Sequence, residues 1–373
     1  MEIIGINNLG IGYGVVNDKK VFVEKTAVGD IVENNVVVKE SKNRQKVACP
    51  YYAECGGCNL LHLSDESYYD FKSKLCKCDN IIKIGKCARR RATFNFKNNS
   101  FGFFKIKSNE IVEINNCLLL KDEINAIILK LKNFKVKTDV TLFDNGIGVT
   151  FHLAQELKRE TLDRFLLENK EVIVLSYKIR DNEPTLYLQK YKPIINFNGI
   201  DIEVDNNIFL QATKEGQDKI IEIAVENLKD ERNILDLYCG IGTYTFPLSN
   251  HARIHSIEKD KKMIEILKKN IHGRKITAED RDLTERPLLK NELSKYDGAV
   301  INPPRNGAKT QCEYMADSKI KKIIMISCNP LTFWRDVEIL EKGNYKLKHT
   351  VGIDQFYGTN HVEIVGALEN KFK

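Results

Sequence analysis

No apolar run in the 373 residues is long enough to cross a bilayer. The opening Met1-Glu2-Ile3-Ile4 has neither the basic head nor the apolar core of a secretion signal. These absences count against a membrane-spanning helix and lead to the expectation of a cytoplasmic protein. There is no internal repeat and no low-complexity tract, which removes solenoids and disordered linkers. A disulfide framework is not expected in a reducing compartment, so the ten cysteines, several of them clustered, point to metal binding or catalysis.

The chain is too long for one ordinary core, so two or three domains are expected, and a 42% hydrophobic fraction supports folding throughout. The net charge is +7, with lysine far in excess of arginine. That suits a polyanionic partner, but charge alone does not separate a nucleic-acid binder from a lysine-rich composition.

Residues 3 to about 47 alternate short β-rich runs with glycines, the pattern of a small barrel. From Cys49 to Cys58 the chain becomes a cysteine loop, and a helix opened by Ser64 then runs to about Cys76. Residues 80–200 read as α+β. Strands are expected at 92–96, 101–105, 110–114, 138–143, 148–153, 172–178 and 184–189, with helices near 122–133 and 158–169. The last third alternates strictly, with strands at 233–237, 253–258, 274–278, 297–301 and 320–327. This alternation implies a parallel, doubly wound sheet. The expected division is 1–47, 48–200 and 201–373.

Ligands of such sheets bind at the carboxyl ends of the strands. The first strand runs into Tyr238-Cys239-Gly240-Ile241-Gly242, whose glycines allow a tight turn and a close ligand approach. The second ends in Glu258, suited to ribose hydroxyls. The turn lacks the full Gly-x-Gly-x-x-Gly, so a pyrophosphate cradle is not indicated. An adenosine ligand without phosphates fits better, and S-adenosylmethionine is the natural candidate. The fourth strand ends in Asn302-Pro303-Pro304-Arg305, a stiffened loop presenting an amide and a guanidinium. The fifth ends in Ser327-Cys328-Asn329-Pro330, where the residues alone leave two readings, a thiol placed to act as a nucleophile and a small buried hydrophobe.

Taken in order, Ile208–Gln211, Asp236–Thr243, Asn302–Arg305, Ser327–Pro330 and Asp354–Glu363 resemble the motifs of RNA uracil-5 methyltransferases, and the resemblance covers nearly the whole chain. It implies three units: an N-terminal OB-like TRAM barrel that binds RNA, a central α+β domain with an iron–sulfur loop, and a C-terminal Rossmann-like class I methyltransferase sheet. It also implies methylation of C5 of a uridine in RNA. The 23S rRNA branch fits most closely, the tRNA T-loop is the second choice, a catalytically inactive iron–sulfur RNA-binding protein is the alternative of another class, and a monomer is expected. By similarity Cys328 is the nucleophile and Glu363 the base, with His361 nearby. Gln211, Tyr238, Gly240, Glu258 and Asn302 match cofactor-contacting positions, Asn302 replacing the more common aspartate.

Cys49, Cys55 and Cys58 suit zinc or an iron–sulfur cluster, and a fourth ligand must come from Cys76, Cys78, Cys87 or Cys117. The family pattern places it downstream, which implies Cys117 and a 4Fe-4S cluster, with a structural or RNA-positioning role. Arg89, Arg90 and Arg91, interleaved with Phe94 and Phe96, are expected to contribute to an RNA contact surface.

Overall fold

Asparagine pairs shape much of the β-structure. Gly12–Val16 and Lys19–Val23 are joined through Asn17-Asp18, Ile31–Glu33 and Val36–Lys39 through Asn34-Asn35, and Arg91–Lys97 and Ser100–Phe104 through Asn98-Asn99. Ile194–Phe197 and Ile200–Glu203 are joined through Asn198-Gly199. Every one of these turn residues has positive φ. Two-residue hairpin turns of this hand match the twist of the flanking strands, and asparagine and glycine reach that conformation at least cost. The hairpin at 194–203 was not anticipated, although Asn-Gly between apolar runs signals it.

The computed structural model describes residues 1–155, 157–180 and 182–372. At the N-terminus a three-stranded and a two-stranded antiparallel sheet are tied by the bridge from Glu2 to Ile31, and Ile3, Val23 and Val32 pack together as their core. The seven-stranded central sheet runs, from edge to edge, Thr185–Gln189, Val172–Ile179, Gly146–Leu153, Lys137–Phe143, Arg91–Lys97, Ser100–Phe104 and Ile111–Glu113. Helices Asp122–Lys132 and Arg159–Glu168 bury Ile124, Ile127, Ile128, Leu131, Phe165 and Leu166 with Phe94, Phe101 and Phe151. All seven strands and both helices lie where the sequence suggests, within two residues at each end.

The C-terminal sheet runs Ile276–Asp280, Arg253–Glu258, Asn233–Leu237, Gly298–Ile301, Lys322–Ser327, Glu363–Asn370, Tyr345–Asp354 and Asn80–Lys83. It is parallel except for Glu363–Asn370, which pairs antiparallel with both neighbours. Running backwards, this strand brings its first residue, Glu363, to the edge where the parallel strands end. Asn80–Lys83 pairs with Val351–Asp354, so chain leaving the cysteine loop becomes the outer strand of this sheet.

Helix Asp65–Cys76 leads into that strand, its first turn capped by Ser64 Oγ on the Ser67 amide. It sends Tyr68 and Lys72 into the protein. Lys72 Nζ meets Asp354 Oδ1 at 2.9 Å with neither side chain exposed, and Lys72 also donates to the His361 carbonyl. Tyr68 donates to Asp354 at 2.9 and 3.1 Å and accepts from the Gly358 amide at 3.0 Å. Removing one member of a buried pair strands the other charge. Lys72→Met should therefore destabilise the fold by about 3–5 kcal/mol. Lys72→Met with Asp354→Leu should recover a large part of that loss. Denaturant midpoints of the single and double variants check this.

Candidate active site

Five strand ends converge on one edge. At the first, Tyr238 takes φ 60°, rare for an aromatic residue, and Gly240 and Gly242 follow at 55° and 96°. A Cβ on Gly242 would lie 2.7 Å from the Phe246 ring, so only glycine fits there. Asp236 is fully buried; Thr245 Oγ1 donates to one of its oxygens at 2.6 Å, and burial pushes its carboxyl up to about 7. Glu258 accepts from the Gly240, Lys259 and Asp260 amides at 3.1, 2.8 and 3.0 Å, locking the second strand end to the glycine turn. Asn302 donates its amide to the Leu237 carbonyl at 3.2 Å, joining the fourth strand end to the first.

Asp236 Oδ1 and the Tyr244 hydroxyl are buried here without a partner. With two carboxylates, two orphaned polar atoms and a glycine turn on one edge, the residues present fit an adenosine-bearing, positively charged cofactor.

Cys328 leaves Lys322–Ser327 at the next strand end, and Asn329 Oδ1 caps the following helix Pro330–Lys342 through the Leu331 amide at 3.1 Å. Asn329 Nδ2 and Thr332 Oγ1 both donate to the Arg305 carbonyl, at 3.0 and 3.2 Å, which holds Arg305 against this turn. Burial raises the Cys328 thiol pKa, and the nearby Glu363 raises it further; Arg305 opposes both through charge and hydrogen bonding. Glu363 is 4% exposed, and burial pushes it up to about 7 despite a 3.0 Å hydrogen bond from Gln355 Nε2. A carboxyl at that value can both take up and release a proton near neutrality. Gln211 accepts from the same Gln355 nitrogen at 2.8 Å.

The edge thus gathers Gln211, Tyr238, Gly240, Glu258, Asn302, Cys328 and Glu363. His361 lies on the same loop, its ring 6.0 Å from that of Phe356, and partial desolvation of the imidazole together with Arg305, Lys72 and Arg89 lowers its pKa. Sequence reading assigned no role to Gln355, although it lies inside the quoted motif.

Cys49, Cys55, Cys58 and Cys117 line a separate cavity of about 1010 Å³ with Lys25, Arg89 and Phe104. Burial pushes Cys58 up to about 12, with Cys117 adding to the shift and Arg89 opposing it. Asn125 clamps Cys117 from both sides, accepting from its amide at 2.9 Å and donating to its carbonyl at 3.1 Å. Cys76 and Cys78 pack in the core under the C-terminal sheet, and Cys87 is exposed. Among the described residues no three His, Cys, Asp or Glu side chains converge tightly enough to hold a metal ion.

The expected basic–aromatic RNA surface is corrected in part. Arg90 is 3% exposed and donates to the Gln211 carbonyl and to Gln217 Oε1, at 3.0 and 2.6 Å. Phe94 is wholly buried between Phe101 and Phe103. Both belong to the framework, because Arg90 carries the backbone of Gln211 and Phe94 fills the central core. Arg91 caps the exposed ring of Phe209 at 5.5 Å.

The family model described as tRNA (uracil-5-)-methyltransferase matches residues 103–371. An uncharacterised RNA methyltransferase from Agrobacterium fabrum is 31% identical over 93% of this chain and 92% of its own length. One from Brucella suis is 30% identical over 98% and 97%. The crystal structure of the Pyrococcus abyssi tRNA (uracil-54, C5)-methyltransferase with S-adenosyl-L-homocysteine shares the fold, with a TM-score of 0.78, 20% identity and 99% of both chains covered.

The charges around Cys328 predict its reactivity. Glu363→Gln removes the anion that raises the thiol, so alkylation by iodoacetamide should become faster and its pH profile should move to lower pH. Arg305→Leu should move the profile to higher pH. Mass spectrometry of the Cys328 peptide over a pH series reads both shifts.

Proposed function

Because the chain belongs to the tRNA (uracil-5-)-methyltransferase family of S-adenosylmethionine-dependent RNA-modifying enzymes, we propose that it methylates C5 of a uridine in folded RNA through a transient bond between Cys328 Sγ and C6 of the uracil. The observation that carries this reading is the delivery of a thiol and a carboxyl of matched environment to one edge by the adjacent strands Lys322–Ser327 and Glu363–Asn370. C5 of uracil is a poor nucleophile. The Cys328 thiolate adds to C6, the electron pair of the C5–C6 bond moves to make C5 enolate-like, and C5 can then attack an electrophilic carbon. S-adenosylmethionine, when bound, supplies that carbon as a sulfonium methyl. Glu363 removes the C5 proton, the C5–C6 double bond re-forms, and Cys328 leaves as thiolate. Arg305 offsets the thiolate charge before addition. Gln211, Tyr238, Gly240, Glu258 and Asn302 would hold the cofactor.

The target base must leave its stack to reach Cys328. The N-terminal pair of small sheets is read as a TRAM-like RNA-binding module. The four cysteines Cys49, Cys55, Cys58 and Cys117 would hold a 4Fe-4S cluster, closed to substrate and acting as a cross-link between the cysteine loop and the central domain. This combination favours 23S rRNA. A tRNA T-loop uridine is the second reading, supported by the shared fold with the Pyrococcus enzyme that acts on tRNA. Activity as a monomer in the cytoplasm completes the proposal.

RNA carrying 5-fluorouridine has no proton for Glu363 to remove, so the wild-type protein should form a denaturation-resistant adduct with it. Cys328→Ser should form none, and its methyl transfer should fall to roughly one-thousandth or less. A Cys328→Ala protein that still methylates RNA would overturn the covalent route. Mapping 5-methyluridine in 23S rRNA and tRNA from cells lacking the protein identifies the substrate. Anaerobically purified protein should be brown and contain iron and sulfide, with Cys117→Ser losing both. Stoichiometric zinc in a colourless protein would reject the cluster.

A further inference from the structure

The amide of Gln355 is 1% exposed and donates twice, at 3.0 Å to Glu363 Oε2 and at 2.8 Å to Gln211 Oε1. A side-chain amide has only two such hydrogens, so both are committed. Among the described residues Gln355 is the one side chain that donates to the Glu363 carboxylate. Its backbone is fixed because it directly follows Asp354, which Lys72 and Tyr68 hold. Room for its side chain comes from Gly216 in the helix Lys214–Leu228. A Cβ on Gly216 would fall 2.7 Å from the capping Thr213 Oγ1, 2.9 Å from Gln355 Cβ and 3.2 Å from Gln355 Oε1. A glycine in the first turn of a helix costs helix stability relative to alanine, and here it opens the space Gln355 occupies.

We propose that Gln355 is a positioning residue for the proton-removing step, holding the Glu363 carboxylate in register with Gln211 on the cofactor side of the cleft. The inference rests on the covalent reading above and deepens it. The other groups facing Glu363 are Tyr244, from the turn after the first strand, and Cys328. Neither is a cation, and neither hydrogen-bonds to the Glu363 carboxylate, which takes its bond from Gln355. Without that donor the carboxylate is free to rotate and its ionised form loses its hydrogen bond. Both effects slow removal of the C5 proton while leaving thiolate addition and methyl transfer in place.

The test uses Gln355→Met, which keeps the volume and removes both hydrogens, and Gly216→Ala, which crowds both Gln355 and the Thr213 cap without altering either residue. In vitro transcripts of 23S rRNA and tRNA with ordinary uridine are the probes, with methyl-labelled cofactor. In Gln355→Met, turnover should fall roughly tenfold or more, and a denaturation-resistant adduct carrying the labelled methyl should accumulate. The acid limb of kcat should also move to higher pH, since the lost donor had favoured the ionised carboxylate. Gly216→Ala should show the same pattern more weakly. If adduct formation and turnover fall together, or if both variants keep the wild-type pH profile, Gln355 only supports the fold and the inference is overturned. If the wild-type protein methylates neither transcript and forms no 5-fluorouridine adduct, the covalent reading fails and this inference fails with it.

Discussion

Lys72 and Asp354 stand 282 residues apart in sequence and 2.9 Å apart in space, both closed to solvent. Taking two such charges out of water costs several kcal/mol for each ion, so an isolated buried pair adds little stability. Here the cost is offset because nearly every polar site is used: Tyr68 donates to both carboxylate oxygens, and the ammonium also serves the His361 carbonyl. Such a network tolerates few alternative geometries, and it therefore specifies a position. What it positions is the loop from Asp354 to Glu363. Asn59 and Leu60, immediately after Cys58, reinforce it by donating their amides to the Gly358 carbonyl at 3.0 Å. The cysteine loop and the catalytic loop are thus one mechanical unit, and order in one is order in the other.

That constraint explains a feature of the sheet. A parallel α/β edge collects loops that are each anchored at a strand end. Glu363 instead opens an antiparallel strand and reaches the edge from the far side of its own loop. Its placement depends on both the strand register with Lys322–Ser327 and the loop geometry fixed by Asp354. Cys328 needs only its strand and the cap at Asn329. Cys328 is locally determined, whereas Glu363 is determined by contacts with the N-terminal half.

The same distinction decides what could be read from residues alone. Strict alternation after Asn233 exposes the parallel sheet, and unusual polar groups at successive strand ends expose the cleft. The placement of Asn302, Glu258 and the glycine turn at that edge was legible because it follows from position along a strand. Gln355 was not legible, because its partners Gln211 and Glu363 are gathered by the whole fold, one of them 144 residues away. Arg90 misled for a related reason. An arginine beside aromatics reads as a nucleic-acid contact, and only burial against Gln211 and Gln217 shows it to be a strut. Asn80–Lys83 is too short to declare which sheet it joins.

The electrostatics of the cleft impose an order on the chemistry. On the proposed covalent route Cys328 must be a thiolate to add and Glu363 a carboxylate to accept a proton, yet burial disfavours both charges and Glu363 raises the thiol further. Burial and Glu363 together hold the Cys328 thiol above its ordinary value, and Arg305 is the cation that opposes them. On that route, once sulfur is bonded to C6 its negative charge would lie in the uracil ring, and methyl transfer to C5 would discharge the ring. From that moment nothing anionic would face Glu363 from the cysteine side, and the carboxylate could exist with only its hydrogen bond to Gln355. A base at Glu363 would thus become available after the methyl group has arrived, which is when the C5 proton has to leave.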